Sequence, residues 1–369
     1  MTARMDIPSL HRYEAHLGAT AAWLARSFLP AGGSRAYAAL PGFWSRMYPE
    51  TTGYIVPTLL RLAPRRPDSA PDLGALARQA GEWLLSIQGS EGAWAGGLHP
   101  PSGRRTPSVF NTGQILLGLC ALADHDGDPR WLAAADRAAS WLAEGVDREG
   151  RWHGSDYRAT QTPSYYAHVA WPMLEVWRRS ARAEVKDAAE RVLAMVLARR
   201  KPDGMFDRWG FDDGQEAFTH TIAYTLCGLM ESSRVLGSWS PYGDAAEAAL
   251  EALRTKTELA GGSLPGSFGP GWTPDGSFVC LTGNAQIAIL LLGLDEREPD
   301  LRLVNAAAKL VDRVCDSQSL RHPVPSIAGA VGGSSPVWGP YMRFRYPNWA
   351  AKYLADALIL LTARLAREA

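Results

Sequence analysis

The stretch WLLSIQGSEGAW, residues 83–94, decides the fold because it joins an apolar-periodic helix to a turn with a glycine just before a tryptophan. A second copy, WLAEGVDREGRW, occupies residues 141–152 and keeps Trp, Gly and Trp in the same register. A third copy ends at KPDGMF, residues 201–206, where Phe replaces the last Trp. Recurrence about six times at a spacing of about sixty residues is typical of paired-helix repeats. The sequence therefore predicts a chain of helical hairpins.

Each hairpin consists of an outer helix, a loop and an inner helix. The outer helices mix charged residues with Ala and Leu, whereas the inner helices are apolar on most sides, as in residues 287–294. Three inner helices open on Thr-Gly-polar, at residues 52–54, 112–114 and 282–284. The predicted outer and inner helices are 13–28 with 53–62, 76–88 with 110–122, 129–144 with 164–179, 185–199 with 216–235, 242–256 with 283–294, and 301–317 with 348–367. Closure into a ring would bury both sets, so we expect an all-α (α/α)6 toroid and a single domain, residues 1–369.

The composition excludes several classes of partner. Lys plus Arg and Asp plus Glu both total 38, so the net charge is zero and no basic field attracts nucleic acid. The longest apolar run, residues 285–294, is shorter than the roughly 20 residues that span a bilayer. The N-terminal residues lack the apolar stretch of a signal peptide. We therefore expect a cytoplasmic protein without membrane insertion; the sequence leaves its oligomeric state open.

The four cysteines, Cys120, Cys227, Cys280 and Cys315, are isolated in the sequence. They form no CxxC pair, and no histidine lies near them at the spacing of metal ligands. We therefore expect free thiols, no metal site and no cofactor.

The loops that lead into the inner helices would share one rim of the ring, so polar side chains there would converge on one cleft. The helix N-termini at this rim favour anionic groups. Aromatic faces suit sugar rings, amides bind hydroxyls, and arginine grips a carboxylate. The expected substrate-binding residues are Tyr48, Tyr54, Asn111, Gln114, Trp272, Asn284, Arg343, Arg345 and Tyr346. The expected catalytic residues are His220, His168, Glu50, Tyr224, Tyr165 and Asp213.

Glu216, His220 and Tyr224 recur every four residues and would share one face of an inner helix. On that face His220 would act as a general base, and Tyr224 or a neighbour would return a proton. Alternatively, His220 is a hydrogen-bonded core residue and Glu216 only complements the helix N-terminus. His168 has the same two interpretations, because Tyr165 beside it is as suited to packing as to catalysis.

Two further rim features have a functional and a structural interpretation. Glu50 lies between aromatic residues Tyr48 and Tyr54 and would be a carboxylate held at the rim, or only a charge that favours the first helical turn. Arg343 and Arg345 alternate, so in an extended segment both would point the same way. Such a pair would grip a uronate carboxylate or form structural ion pairs.

Short motifs resemble known families. Gln88, Gly92 and Trp94 match the QxxxGxW repeat of squalene and hopene cyclases and of protein prenyltransferases. The six-hairpin layout with aromatic loops resembles glucuronyl C5-epimerases, toroid polysaccharide lyases and some glycosidases. The segment YPETTGY, residues 48–54, resembles VpsJ-like proteins of bacterial polysaccharide biosynthesis.

The resemblance to carbohydrate-active toroids implies an enzyme that acts on an acidic sugar or oligosaccharide, with uronate epimerisation ahead of lyase chemistry. A glycoside hydrolase is an alternative and needs two opposed carboxylates, Glu50 with Asp212 or Asp213. A terpenoid cyclase-like enzyme is another; FDDG, residues 211–214, is only a fragment of the cyclase DxDD motif. A non-catalytic glycan-binding toroid is the last alternative. A greasy aromatic cavity would favour the cyclase, and bound uronate together with a perturbed histidine would favour the epimerase.

Overall fold

The computed structural model describes residues 7–69, 71–153, 162–212 and 214–367. Within these ranges twelve α-helices alternate between an outer and an inner position. The outer helices are α1 (Ile7–Ser27), α3 (Leu73–Ser86), α5 (Pro129–Glu144), α7 (Ala183–Leu197), α9 (Tyr242–Leu259) and α11 (Leu301–Ser317). The inner helices are α2 (Pro49–Leu62), α4 (Val109–Asp126), α6 (Ala167–Ser180), α8 (Thr219–Leu236), α10 (Leu281–Arg297) and α12 (Asn348–Ala366).

The inner helices form a closed ring. Each packs against the next one along the chain, and α12 packs against α2. Around them, α3, α5, α7, α9 and α11 each pack on the inner helix that precedes them, while α1 packs on α12. The predicted all-α (α/α)6 toroid is therefore confirmed.

The Gly-Trp turns are joints between neighbouring outer helices. The Trp94 indole donates to the carbonyl of Leu84 at 2.8 Å, and Gly92 adopts a positive φ of 98°. A Cβ on Gly92 would lie 2.7 Å from the carbonyl oxygen of Arg137 on the next outer helix, α5. Gln88 donates across the same joint to the carbonyl of Ala134 at 2.9 Å. The QxxxGxW match thus has a structural role in this chain.

The Thr-Gly openings of the inner helices are also structural. The Thr112 hydroxyl accepts a hydrogen bond from the backbone N–H of Trp94 at 3.0 Å, which ties the turn to its inner helix. A Cβ on Gly53 would lie 2.6 Å from Cα of Ile115, so glycine permits α2 and α4 to pack closely.

Short antiparallel strands link the loops at the rim. Strand β1 (Tyr37–Ala39) lies between β2 (Phe43–Trp44) and β8 (Arg345–Pro347), with Ala38 opposite Tyr346. The other strands are β3 (Ala217–Phe218), β4 (Ser267–Gly269), β5 (Thr273–Asp275), β6 (Val279–Cys280) and β7 (Ser334–Ser335), in the orders β3-β4-β5 and β6-β7. The pairing of β1 with β8 joins the first hairpin to the last and closes the ring.

Helix boundaries match the prediction where a local cap sets them. Helices α5 and α11 have the predicted bounds, and each is preceded by an aspartate, Asp128 or Asp300, whose side chain accepts from a first-turn backbone N–H. Helix α2 begins at Pro49 rather than at residue 53, because proline suits the first helical position.

The predicted start of α8 at Glu216 is wrong. Ala217 and Phe218 form strand β3, and the helix begins at Thr219. The Glu216 carboxylate accepts a hydrogen bond from the Ser267 hydroxyl at 2.7 Å. Glu216 therefore does not share a helix face with His220.

None of the described helices combines the length and apolar character needed to cross a bilayer. The predicted free thiols are confirmed, since none of the four cysteines forms a disulfide. Burial raises the pKa of the Cys120 and Cys280 thiols to about 12, so both stay protonated and pack as small apolar groups.

Candidate functional site

A cavity of about 460 Å³ opens at the N-terminal ends of the inner helices, the rim that the sequence predicts. We call it the upper cavity. It is lined by Ala36, Tyr37, Tyr48, Glu50, Tyr54, Gly97, Leu98, Phe110, Asn111, Tyr165, Tyr166, Phe211, Phe218, His220, Tyr224, Pro340, Tyr341, Met342, Arg345 and Trp349. Its size lies within the range of small-molecule pockets, about 300–1,000 Å³.

His220 is the histidine in this lining, the second residue of α8, and its side chain is 4% exposed. Its Nδ1 lies 2.7 Å from Oε1 of Gln286 on the neighbouring helix α10. A carbonyl oxygen only accepts, so Nδ1 carries the proton and Nε2 is the basic nitrogen. Burial lowers the pKa of the imidazole to about 4, although the bond to Gln286 opposes this shift. His220 is therefore neutral near pH 7.

Glu50 is the carboxylate in the lining. Because α2 begins at Pro49, Glu50 occupies the first helical turn. Its negative charge there interacts favourably with the positive end of the helix dipole. Its side chain is only 7% exposed, and its Oε2 accepts a hydrogen bond from the hydroxyl of Tyr48. Burial raises the pKa of Tyr54, and the charge of Glu50 raises it further. The site thus holds a buried carboxylate among phenols that stay protonated.

Glu50 and His220 stand on opposite sides of the ring. Helix α2 contacts α4 and α12, whereas α8 contacts α6 and α10, so α2 and α8 are three positions apart in a ring of six. A ligand between them would therefore present one face to the imidazole and the other to the Tyr48–Glu50 pair.

Aromatic rings form most of the wall. Tyr224 lies one helical turn after His220, and their ring centroids are 4.3 Å apart. Phe110 contacts Tyr224 at 5.3 Å, and Tyr341 contacts His220 at 5.2 Å. The Trp349 indole donates to the Tyr341 hydroxyl at 2.8 Å. The wall therefore offers flat faces together with a few fixed polar atoms.

Eight of the residues expected from the sequence line the upper cavity: Tyr48, Glu50, Tyr54, Asn111, Tyr165, His220, Tyr224 and Arg345. Asp213 lies outside the described residues. His168, Gln114, Trp272, Asn284, Arg343 and Tyr346 do not line this cavity. Asp212, proposed as a second carboxylate, is exposed and also lies away from it.

Buried amides account for two of the misplaced residues. Asn284 accepts from the backbone N–H of Leu264 at 2.9 Å and donates to the carbonyl of Cys280 at 2.9 Å. Gln114 donates to the carbonyl of His168 at 2.7 Å and so joins α4 to α6. Their polar groups hold backbone segments in place rather than face the cavity.

Two aromatic residues expected at the site pack elsewhere. The Trp272 indole donates to the carbonyl of Asp203, and its ring lies 5.5 Å from that of Trp209, within a turn of the repeat. Tyr346 belongs to β8 and is half-buried against β1. Neither ring reaches the upper cavity.

The expectation of an extended segment that aligns two arginines is wrong. Residues 341–344 form a turn in which Met342 and Phe344 have positive φ values of 51° and 58°. The turn separates the two side chains. Arg343 lies over the ring of Phe344, whereas Arg345 lies over Tyr37 at 4.9 Å and lines the cavity.

His168 is close to the site but faces away from it. Its ring stacks on Tyr224 at 4.4 Å, on the side opposite the upper cavity. It lines a separate cavity between the C-terminal halves of the inner helices. His168 is the second residue of α6, which begins at Ala167 after a short 3-10 turn, Ser164–Tyr166.

Sequence reasoning missed several lining residues, among them Tyr37, Phe110, Phe211, Phe218, Tyr341 and Trp349. Phe110 and Trp349 lie beside asparagines in the first turns of α4 and α12. Their place at the start of inner helices would have been enough to predict that they lie at the rim. Tyr341 lies in a turn and Phe218 in the short strand β3, and only the tertiary structure brings them to the wall. Within the described ranges, no cluster of His, Cys, Asp and Glu side chains has the arrangement of a metal site.

No known protein family matches the sequence. Solved structures with the same fold include the unsaturated glucuronyl hydrolase of Bacillus sp. GL1, with a TM-score of 0.72 and 15% identity over 95% of this chain and 96% of that one. The cellobiose 2-epimerase of Bacillus thermoamylovorans B4167 has a TM-score of 0.69 and 11% identity over 95% and 99%. The cellobiose 2-epimerase of Spirochaeta thermophila DSM 6192 has a TM-score of 0.68 and 14% identity over 100% of this chain and 99% of that one. The chain thus has the fold of these proteins.

One curated protein is similar in sequence over part of the chain. The ent-copalyl diphosphate synthase of Streptomyces sp. strain KO-3988 is 35% identical over 111 residues, which is 28% of this chain. The matched part covers 19% of that protein.

Proposed function

We propose that the chain is an enzyme that moves a proton at a carbon of an acidic sugar, an epimerase-type reaction on a uronate-containing oligosaccharide. The observation that carries the proposal is His220, a neutral imidazole at the wall of the upper cavity whose Nδ1 is held by Gln286. Abstraction of the proton next to a carboxylate needs such a positioned base.

The opposite wall supports inversion of configuration. An epimerase removes a proton from one face of a carbon and delivers a proton to the other face. The Tyr48–Glu50 pair stands on α2, across the ring from His220 on α8. In this proposal His220 removes the proton and the pair returns one; a lyase would use the same base and expel a leaving group instead.

The remaining lining fits an anionic sugar. Arg345 is the guanidinium in this lining and would bind the carboxylate of the substrate. Negative charge close to an imidazole raises its pKa. Substrate binding would therefore raise the pKa of His220 from about 4 towards neutrality, where it is a stronger base.

The fold relatives support the substrate class. Their names describe a glucuronyl hydrolase and cellobiose 2-epimerases, proteins that act on sugars. A two-carboxylate hydrolase is less well supported, because among the described residues that line the upper cavity Glu50 is the only carboxylate.

Incubation in deuterated water with a panel of uronate-containing oligosaccharides tests the proposal. We expect deuterium at the carbon next to the carboxylate, detected by NMR and mass spectrometry, and loss of this exchange in His220→Gln. Cleavage of glycosidic bonds without deuterium at that carbon would instead indicate a hydrolase.

A terpenoid cyclase is the second candidate. The partial match to ent-copalyl diphosphate synthase favours it, as does the aromatic wall, because aromatic faces stabilise carbocations. Incubation with linear isoprenoid diphosphates of different lengths distinguishes the two candidates. Cyclised hydrocarbon or cyclised diphosphate products, without exchange in any uronate, would establish the cyclase and overturn the epimerase.

A further inference from the structure

A second, larger cavity of about 880 Å³ lies between the C-terminal halves of the same six inner helices. We call it the lower cavity, and we call the four residues Tyr54, His168, Lys352 and Tyr353 its floor. Tyr54 lines both cavities, so the floor is part of the layer that separates them. A volume of this size is ample for a small organic ligand.

Charges at the mouth of the lower cavity neutralise one another. Arg364 pairs with Asp295 at 2.5 Å, and Arg234 pairs with Glu231 at 2.8 Å. Arg179 pairs with Glu175 at 2.6 Å. A ligand would gain little net electrostatic attraction from these pairs.

Next to the floor, by contrast, basic side chains outnumber acidic ones. Lys352 and Arg61 both pair with one carboxylate, that of Asp356, at 2.9 Å and 2.8 Å. Two cations therefore share a single anion, and the Lys352 side chain is only 12% exposed. Burial lowers the pKa of His168, and the charge of Lys352 lowers it further. Burial also lowers the pKa of Lys352, although the charge of Asp356 opposes that shift.

His168 supplies a polar atom without a partner. Its side chain is 2% exposed, and its Nδ1 makes no hydrogen bond. Such a buried atom costs free energy unless a ligand or water binds it. His168 and Lys352 both lie in the first two turns of their helices, where the backbone dipoles favour negative charge.

The walls between floor and mouth are apolar. Leu60, Leu117, Ile289 and Leu360 come from four inner helices and line the cavity. Each is only partly buried, although it belongs to a helix of the inner ring. This exposed apolar surface would be removed from water by an apolar ligand body.

We propose that the lower cavity binds an amphipathic carboxylate. Its anionic group lies against Lys352, Arg61 and Nδ1 of His168, and its alkyl body lies along the four apolar wall residues. The site is separate from the upper cavity, so it does not depend on the reaction proposed there.

Titration of the full chain with octanoate, measured by calorimetry, tests this site. Octanol has the same alkyl length without the charge, and we expect it to bind at least about tenfold more weakly. Lys352→Met should weaken octanoate binding at least about tenfold and leave octanol binding unchanged, because Asp356 keeps Arg61 and Thr58 as partners. Arg178→Met is the matched control at the mouth, and it should bind octanoate like the original chain.

A second measurement follows the titration of His168 in the unaltered chain and uses a variant only to assign its signal. We expect octanoate to raise the pKa of His168, followed by histidine NMR and assigned with His168→Gln, and octanol to leave it unchanged. Absence of saturable octanoate binding, equal affinity for octanol, or an unchanged affinity in folded Lys352→Met would overturn the proposal. A shift of His220 without one of His168 would assign the ligand to the upper cavity and also overturn it.

Discussion

The upper and lower cavities are built by the same six helices, yet their polar groups differ in kind. In the upper cavity one histidine, one carboxylate and one arginine lie among aromatic rings. At the mouth of the lower cavity acidic and basic side chains lie in pairs, and most of the cavity lining comes from the helices themselves. The loops supply much of the upper lining, since residues such as Tyr341 and Phe211 lie outside the helices.

The difference follows from the two ends of a helix. Basic residues close the last turns of several inner helices, among them Arg61, Arg179 and Arg234, where they complement the negative end of the helix dipole. Two of them also pair with a carboxylate on a neighbouring inner helix, Arg61 with Asp356 and Arg179 with Asp124, and so join the lower ends of those helices. Charges at the lower mouth therefore lie in ion pairs, whereas His220 and Glu50 of the upper cavity are held by the neutral side chains Gln286 and Tyr48.

The largest expected effect separates the two histidines that flank Tyr224. His220→Gln removes the base of the upper cavity, so we expect uronate exchange to fall by about 10²–10⁴-fold. His168→Gln, on the lower side, is the control and should reduce exchange by less than about tenfold. Equal losses in both variants, measured as deuterium incorporation, would contradict the assignment of catalysis to the upper cavity.

The next largest effect concerns the ion pairs at the mouth of the lower cavity and their contribution to the free energy of unfolding. Arg364→Met leaves the Asp295 carboxylate, 1% exposed, without its arginine, so we expect a loss of about 3–5 kcal/mol in the free energy of unfolding. Arg178→Met should cost less than about 1 kcal/mol, because Arg178 is exposed and Glu175 keeps Arg179. Urea unfolding followed by circular dichroism measures both. Similar losses in the two variants would show that burial does not determine how much these ion pairs contribute to the free energy of unfolding.

A smaller effect concerns the close packing of the ring. Gly53→Ala places a methyl group 2.6 Å from Cα of Ile115, so α2 and α4 must move apart at a cost of about 1–3 kcal/mol. Gly103→Ala is the control, since a Cβ there meets nothing within 4 Å. An unchanged urea midpoint for Gly53→Ala would mean that the glycine contacts do not set the width of the ring.

The smallest effect is expected between about pH 6 and about pH 8, where kcat/KM should stay nearly constant. The base must be unprotonated, and the pKa of His220 in the free protein is about 4, so activity is lost only as the pH falls through that value. Circular dichroism at each pH controls for acid unfolding. A midpoint of kcat/KM near the ordinary pKa of histidine would identify another base.

The fold was predictable from the sequence because its signals are local. Apolar periodicity and the Gly-Trp turns define the hairpins, and the caps Asp128 and Asp300 set helix starts without help from distant residues. The rim was also predictable, since inner helices of one ring must begin on the same side. This reasoning located His220, Glu50 and Tyr224, which line the upper cavity.

The remaining details depend on tertiary contacts that spacing does not encode. An asparagine that binds backbone, such as Asn284, has the same sequence signature as one that binds a ligand. The direction of Arg343 depends on two residues with positive φ in the preceding and following positions. The lower cavity was not foreseen, because paired charges such as Arg364 and Asp295 look like a solvated surface in the sequence.

Closure of the ring brings together the beginning and the end of the described chain. Strand β1 pairs with β8, α1 packs on α12, and Asn348 donates to the Ser34 hydroxyl at 2.8 Å. Tyr341, Arg345 and Trp349 complete the wall beside residues from the first hairpin, such as Tyr37 and Tyr48. During synthesis on the ribosome, the upper cavity therefore cannot form until the last hairpin has emerged. Until then the hairpins already synthesised would form an open helical array without this pocket.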